Sequence, residues 1–139
     1  MNKYIPALSD TQEFIGSLDN SVALLPTGWC NFFDSPGEWI VTRAPGRLDL
    51  MGGIADYSGS LVLQWPIESA VHLAIQRHSG KSLRIASLPE APNKTARLFE
   101  INLAELVSPD YSTLRARFSA EPEDHWAAYV AGAFSVLMR

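Results

Sequence analysis

Residues 46–59 hold four of the chain's nine glycines, at positions 46, 52, 53 and 59. No other part of the sequence is so constrained. Glycine reaches left-handed backbone conformations that other residues avoid, and it lets a backbone pass close to a neighbour or ligand. A run this rich in glycine does not read as the interior of a helix. Glu38 to Arg43 before it reads as a strand, with Trp39 and Val41 on one face. Gly46 to Ser60 then reads as a loop, with a short strand at 48–51, and Leu61 to Trp65 as a second strand that Pro66 ends.

The same stretch mixes residue types that carry chemistry. Arg47 offers a planar fork that suits a phosphate. Asp49 and Asp56 offer carboxylates that accept hydrogen bonds from hydroxyl groups, and Tyr57 adds an aromatic hydroxyl. Together they point to a place where a phosphoryl group meets a polyhydroxylated acceptor.

The rest of the chain sets bounds. At 139 residues it is about one domain. A net charge of −4 argues against a nucleic-acid partner. No run of like charge suggests a membrane-binding patch. The single cysteine, Cys30, forms no internal disulfide, which fits a reducing compartment such as the cytoplasm. The N-terminus lacks the apolar core of a secretory signal. His72, His78 and His125 have no metal-ligand spacing, so no metal site is expected from these residues.

Three patterns organise the remainder. Residues 9–18 read as a short amphipathic helix that starts at Asp10 with Glu13, and 19–37 as an irregular connector. Ala70 to Arg77 alternates as a half-buried strand, with Val71, Leu73 and Ile75 on one face and His72, Ala74 and Gln76 on the other. Ser82 to Ser87 reads as pairing back on it through the Ser79-Gly80 turn. Ala96 to Ile101 is a further strand, and Leu103 to Val107 one helical turn, while 108–124 suggest no element. Trp126 to Met138 is uncharged and too short to span a bilayer, so it reads as a core helix. Asp124 would cap it, and Trp126, Tyr129, Val130, Ala133, Phe134 and Leu137 would form its buried face. Strands first and helices after give an α+β class, in one domain over 1–139 with a helix and connector over 1–37 and the sheet, loop and final helix over 38–139.

Two segments resemble the GHMP kinases, in their galactokinase branch. The first signature there runs roughly Gly-Arg-x-Asn-Leu-Ile-Gly-Glu-His-Thr-Asp-Tyr, and Gly46, Arg47, Leu50, Gly52, Asp56 and Tyr57 match it in type and spacing. Trp126-Ala127-Ala128-Tyr129-Val130-Ala131-Gly132 is similar to a second segment, Trp-x-Asn-Tyr-Val-x-Gly. The resemblance implies the N-terminal part of a GHMP kinase fold, like ribosomal protein S5 domain 2, with a mixed sheet against helices. It implies ATP and Mg²⁺ as cofactors and a small sugar as partner.

Roles follow by resemblance only. The arginine matching Arg47 lies beside the transferred phosphoryl group, and the aspartate matching Asp56 holds sugar hydroxyls. Gly52 and Gly53 would shape the pocket floor beside Tyr57, and Trp126 would lie near the adenine. Plainer readings stand beside these. Arg47 also fits an ordinary surface arginine, Asp56 a turn cap with Ser58 and Gly59, Tyr57 a packed aromatic and Trp126 a core residue. Asp49, where the family has asparagine, reads first as structural.

Gly53-Ile54-Ala55 replaces the family's Glu-His-Thr, whose first two residues help hold the hydroxymethyl of galactose. A pocket without them leaves that hydroxyl unpaired, at a cost of about 1–3 kcal/mol. L-Arabinopyranose lacks the group, and the whole run 46–59 closely resembles the L-arabinokinases of this family. The expected activity is phosphorylation of a sugar at its anomeric hydroxyl, with L-arabinose favoured and galactose next. A uronic-acid kinase, with Gly53 making room for a carboxylate, and a non-catalytic sugar sensor remain open. The family's phosphate loop and acidic base have no counterpart in the chain, which therefore reads as a piece of a longer protein, inactive alone and prone to self-association through its final helix.

Overall fold

A long two-stranded ribbon and a smaller hairpin with three helices make up the computed structural model, which describes residues 8–23, 25–29, 31–33, 37–53, 55–89, 95–107 and 110–138. The chain falls into two compact units. The described residues of the first lie within Met1–Leu24 and Phe33–Arg77, and those of the second within Leu25–Phe32 and His78–Arg139. Helices beside small antiparallel sheets make this an α+β chain. Among the described residues the strands form two separate two-stranded sheets rather than one mixed sheet.

In the first unit, α1 (Ser9–Ala23) precedes β1 (Trp39–Met51) and β2 (Leu63–Gln76), which pair antiparallel from Trp39↔Gln76 to Met51↔Leu63. β1 does not stop at Arg43, and β2 runs straight through Pro66. In a two-stranded ribbon each strand is an edge, so a proline's missing N–H costs no ladder bond when it faces outward. Pro45 lies opposite Ala70 and Pro66 opposite Arg47, with a register shift between them in which Ile67, Glu68 and Ser69 oppose Gly46. A second shift leaves Leu50 as the extra residue between Asp49↔Gln64 and Met51↔Leu63. Such bulges bend a strand and re-aim its side chains. Of the segment read as a loop over 46–60, residues 46–51 are strand, and the short strand expected at 48–51 is the end of β1; from Gly52 on the chain leaves the ladder.

α1 docks on the ribbon through polar contacts. Asp10 lies in its first turn and accepts from Arg43 Nε at 2.8 Å, while Arg43 Nη2 donates to the Glu68 carbonyl at 2.7 Å. Thr11 Oγ1 lies 3.1 Å from His72 Nε2, and the Phe14 ring stacks on His72 with centroids 5.2 Å apart. Thr11 and Leu18 are buried. The predicted alternation of β2 holds, but the helix takes the His72 face. The opposite face carries Ile40, Leu73, Ile75 and Val71 and stays open, with Val71 72% exposed. Asp10 is thus a docking residue rather than a cap.

The Arg43 guanidinium bonded to Asp10 holds its carboxyl below the ordinary value of 3.8, with the Thr11 N–H and the His72 ring adding to this and partial burial opposing it. A carboxyl depressed in the folded state lends stability that is present above its unfolded pKa and lost as pH falls through the folded one. We predict that α1 loses amide protection below about pH 4, and that Asp10→Asn abolishes this pH dependence. An Asp10→Asn chain that still loses α1 protection over the same pH range would contradict it.

The second unit pairs β3 (Ser82–Ser87) with β4 (Arg97–Asn102), not with β2 as expected, from Ser82↔Asn102 to Ser87↔Arg97. The match is chemical: Leu83 faces Ile101, Ile85 faces Phe99, and Ser82 Oγ donates to Glu100 Oε1 at 2.6 Å. β2, meanwhile, is already paired along β1. Asn102 caps α2 (Leu103–Leu106) by accepting from the Ala104 N–H at 2.9 Å. Asp110 caps α3 (Tyr111–Ala120) in the same way from Ser112 at 2.9 Å, so part of the unassigned stretch 108–124 is a helix. A 3₁₀ segment, Pro122–Ala127, leads into α4 (Ala128–Leu137).

Ile85, Phe99, Ile101, Leu106, Phe118, Ala127 and Ala131 form one buried cluster, with the Phe99 and Phe118 rings 5.4 Å apart. The final helix keeps part of its predicted face, with Trp126, Val130 and Phe134 packed against the cluster, but the centre of its buried stripe is turned. Ala127, Ala131 and Ser135 point inward, each at 0% exposure, while Tyr129 and Leu137 are more than four-fifths exposed. The small residues let the helix approach closely, and Ser135 Oγ donates to the Leu106 carbonyl at 2.9 Å. Asp124 lies in the 3₁₀ segment, 3.9 Å from Arg117 Nη2, and caps nothing. The Arg84 guanidinium packs beside a stacked pair of aromatic rings, 4.3 Å from the Trp29 centroid and 5.8 Å from that of Phe32, the two centroids being 5.9 Å apart, and Nη2 donates to the Gly28 carbonyl at 2.7 Å.

Candidate functional site

The tip of the β1–β2 ribbon gathers most of the residues singled out in the sequence. Arg47 follows the first bulge on β1, opposite Pro66. The register is regular from Arg47 to Asp49, so residues two apart project from the same face of the strand. Arg47 Nε accordingly lies 3.6 Å from Asp49 Oδ1, and both side chains are open to solvent, at 61% and 41% exposure. An exposed pair of this kind adds little to stability, so fold alone does not account for the arginine.

After Met51 the chain turns on Gly52. Its φ is +79°, a conformation that costs other residues roughly 1–2 kcal/mol. A Cβ there would also sit 3.0 Å from the Leu61 carbonyl oxygen. Gly53 serves a different need. A Cβ at this position would lie 2.7 Å from Asp49 Oδ2 and 3.0 Å from Asp49 Cβ. The Asp49 carboxylate therefore stands over the bare backbone of Gly53.

A 3₁₀ turn, Ala55–Ser58, carries Asp56 and Tyr57. The Asp56 side chain, Ile54 and Cys30 lie outside the described residues. Tyr57 is 97% exposed, so it is not the packed aromatic that composition favours. Ser58 and Ser60 close the turn with hydroxyls 3.0 Å apart.

Trp126 belongs to the second unit. It packs against the core cluster there, with the Arg97 guanidinium 4.9 Å from its ring centroid, which is within cation–π range. Among the described residues no three of His, Cys, Asp and Glu gather where they could hold a metal ion, and no helix is long and apolar enough to cross a membrane. Sequence reasoning missed the contact between Asp49 and Gly53. The available signal was that both positions depart from the family pattern, four residues apart.

A family model described as the galactokinase galactose-binding signature matches residues 30–77. That span takes in the whole ribbon with its turn, including Arg47, Gly52, Gly53, Asp56 and Tyr57. The chain is galactokinase-like. It is also similar to a curated protein called L-arabinokinase, from Arabidopsis thaliana, at 41% identity over 131 residues, an alignment that covers 76% of this chain. This galactokinase-like chain spans 13% of that protein's length. No solved structure matches it.

Proposed function

We propose that the full-length protein transfers a phosphoryl group from ATP to the anomeric hydroxyl of a monosaccharide, with L-arabinose as the favoured acceptor. The observation that carries this reading is where the galactose-binding signature falls. It maps onto a ribbon whose tip sets an exposed arginine beside a turn of two adjacent glycines. Resemblance to an L-arabinokinase supports the choice of sugar.

In this reading the guanidinium of Arg47 meets charge that develops on the transferring group. Fixed positive charge aimed at such a group is the main electrostatic lever of phosphoryl transfer. Asp56 accepts hydrogen bonds from sugar hydroxyls and fixes the acceptor's orientation, which counts heavily in a reaction governed by positioning. Gly52 and Gly53 form the floor, and Tyr57 stands at its open rim. Gly53 offers no side chain to bond a hydroxymethyl, so a hexose loses the partner a longer residue would supply there while a pentose loses nothing. Trp126 would contribute to the adenine site. Mg²⁺ would enter with ATP and offset its phosphate charge; no step is assigned through it. The phosphate loop and the catalytic base are supplied by sequence beyond these residues, so this chain alone should not turn over. A cytoplasmic site of action belongs to the same reading.

ATP consumption by the full-length protein, measured with L-arabinose, galactose, galacturonate and glucuronate, tests it. L-Arabinose should lead galactose by about 10-fold or more in kcat/KM, the value of one unpaired hydroxyl. A uronate in the lead would move the acceptor class. No turnover with any sugar, in protein that binds one, would replace the kinase with a sensor.

A further inference from the structure

The Asp49 carboxylate occupies the space that Gly53 leaves open, and it faces Arg47 with its other oxygen. Oδ2 lies where a side chain at position 53 would begin, 2.7 Å from an ideal Cβ. Oδ1 lies 3.6 Å from Arg47 Nε. The turn on Gly52, just after the Leu50 register shift, brings these positions together. Rotating the aspartate would not admit a residue-53 side chain freely, because Asp49 Cβ is itself 3.0 Å away and fixed to the backbone.

We propose that Asp49 is a positioning residue for Arg47, and that the bare backbone of Gly53 lets the Asp49 carboxylate sit where it faces Arg47. The proposal rests on the reading of Arg47 as the group beside the transferring phosphoryl. A guanidinium presents its donors in a rigid planar fork. A carboxylate at the Nε edge leaves both Nη groups free for a phosphate and fixes the plane in which they lie. The floor of the site is then set by the 49/53 pair rather than by residue 53 alone. An asparagine at 49 would keep the shape and lose the charge that holds the fork.

The test uses the full-length protein with ATP and L-arabinose. Asp49→Asn should lower kcat by roughly 10- to 100-fold, the usual effect of a misplaced catalytic group, with the KM for sugar unchanged. Asp49→Glu should recover part of the loss. Gly53→Ala should show the same kcat defect, because it displaces Asp49, and Gly53→Ala with Asp49→Ala should be no worse than Asp49→Ala alone. A rise in sugar KM at constant kcat, or losses that multiply in the double variant, would overturn the proposal. The contact is also read without turnover. Gly53→Ala should lower the melting temperature of the chain by roughly 4 °C, the scale of a modest overpacking cost, and Asp49→Ala, which clears Oδ2 at 2.7 Å but keeps Cβ at 3.0 Å, should relieve part of the drop. If no sugar is phosphorylated, the kinase reading falls and takes the role of Asp49 in catalysis with it, while the melting cycle still decides whether the two positions are coupled. A drop that Asp49→Ala does not relieve would remove the contact itself.

Discussion

Arg47→Lys in the full-length protein should lower kcat with L-arabinose by about 100-fold, the scale on which a single transition-state donor acts. The substitution keeps the charge but removes the planar fork and the Nε edge that faces Asp49. An ammonium is a point charge on a flexible stem, and it cannot meet a carboxylate on one side and present two donors on the other. Sugar KM should change little, since the arginine is assigned to the phosphoryl group. The fold should be untouched, because 61% of the side chain is already in solvent. Steady-state kinetics with a melting curve as control decides the matter. Full turnover in the lysine variant would remove Arg47 from the chemistry.

The largest effect on stability should come from Phe99→Ala. Phe99 is 4% exposed, lies opposite Ile85 in the β3–β4 ladder, and packs its ring 5.4 Å from that of Phe118. Emptying such a site costs about 3–5 kcal/mol, against a total that is typically 5–15 kcal/mol for a domain. Denaturant unfolding should show the loss, and amide protection in β3, β4 and α3 should fall with it. A cost under about 1 kcal/mol, the size of a surface change, would mean that the cluster around Phe99 is not the core of its unit.

The sequence marked the candidate stretch better than it showed the shape that holds it. Glycine spacing marked 46–59 as special, and the ribbon's tip falls there. Pro66 suggested a break, because proline ends a strand that has neighbours on both sides. Here both strands are edges with bulges, and the ladder continues past it. The last helix was found, and Trp126, Val130 and Phe134 of its predicted face pack on the core, but Tyr129 and Leu137 were misplaced, since periodicity weighs bulky residues. The contact instead runs through Ala127, Ala131 and Ser135, whose small size is what a close helix approach needs. The partner of β3 was misassigned because proximity in sequence favoured β2, while matching apolar faces lay on β4. The Asp49–Gly53 contact was missed for a different reason. It exists only once the chain has turned on Gly52, and its one signal was that both positions depart from the family pattern.

Residues 25–32 pose a timing problem for a chain that folds as it is made. They belong to the second unit, yet they emerge before the whole β1–β2 ribbon of the first. Gly28 and Arg84, which share a 2.7 Å hydrogen bond, are 56 residues apart. At about 5–20 residues per second of synthesis, Trp29 and Phe32 wait roughly 3–11 s for the guanidinium that will pack against them. During that interval two aromatic rings stand outside the tunnel without their cation, available to a chaperone that recognises exposed apolar segments. Slowing translation between Phe32 and Arg84 should lengthen that exposure, whereas slowing it after Arg139 should not.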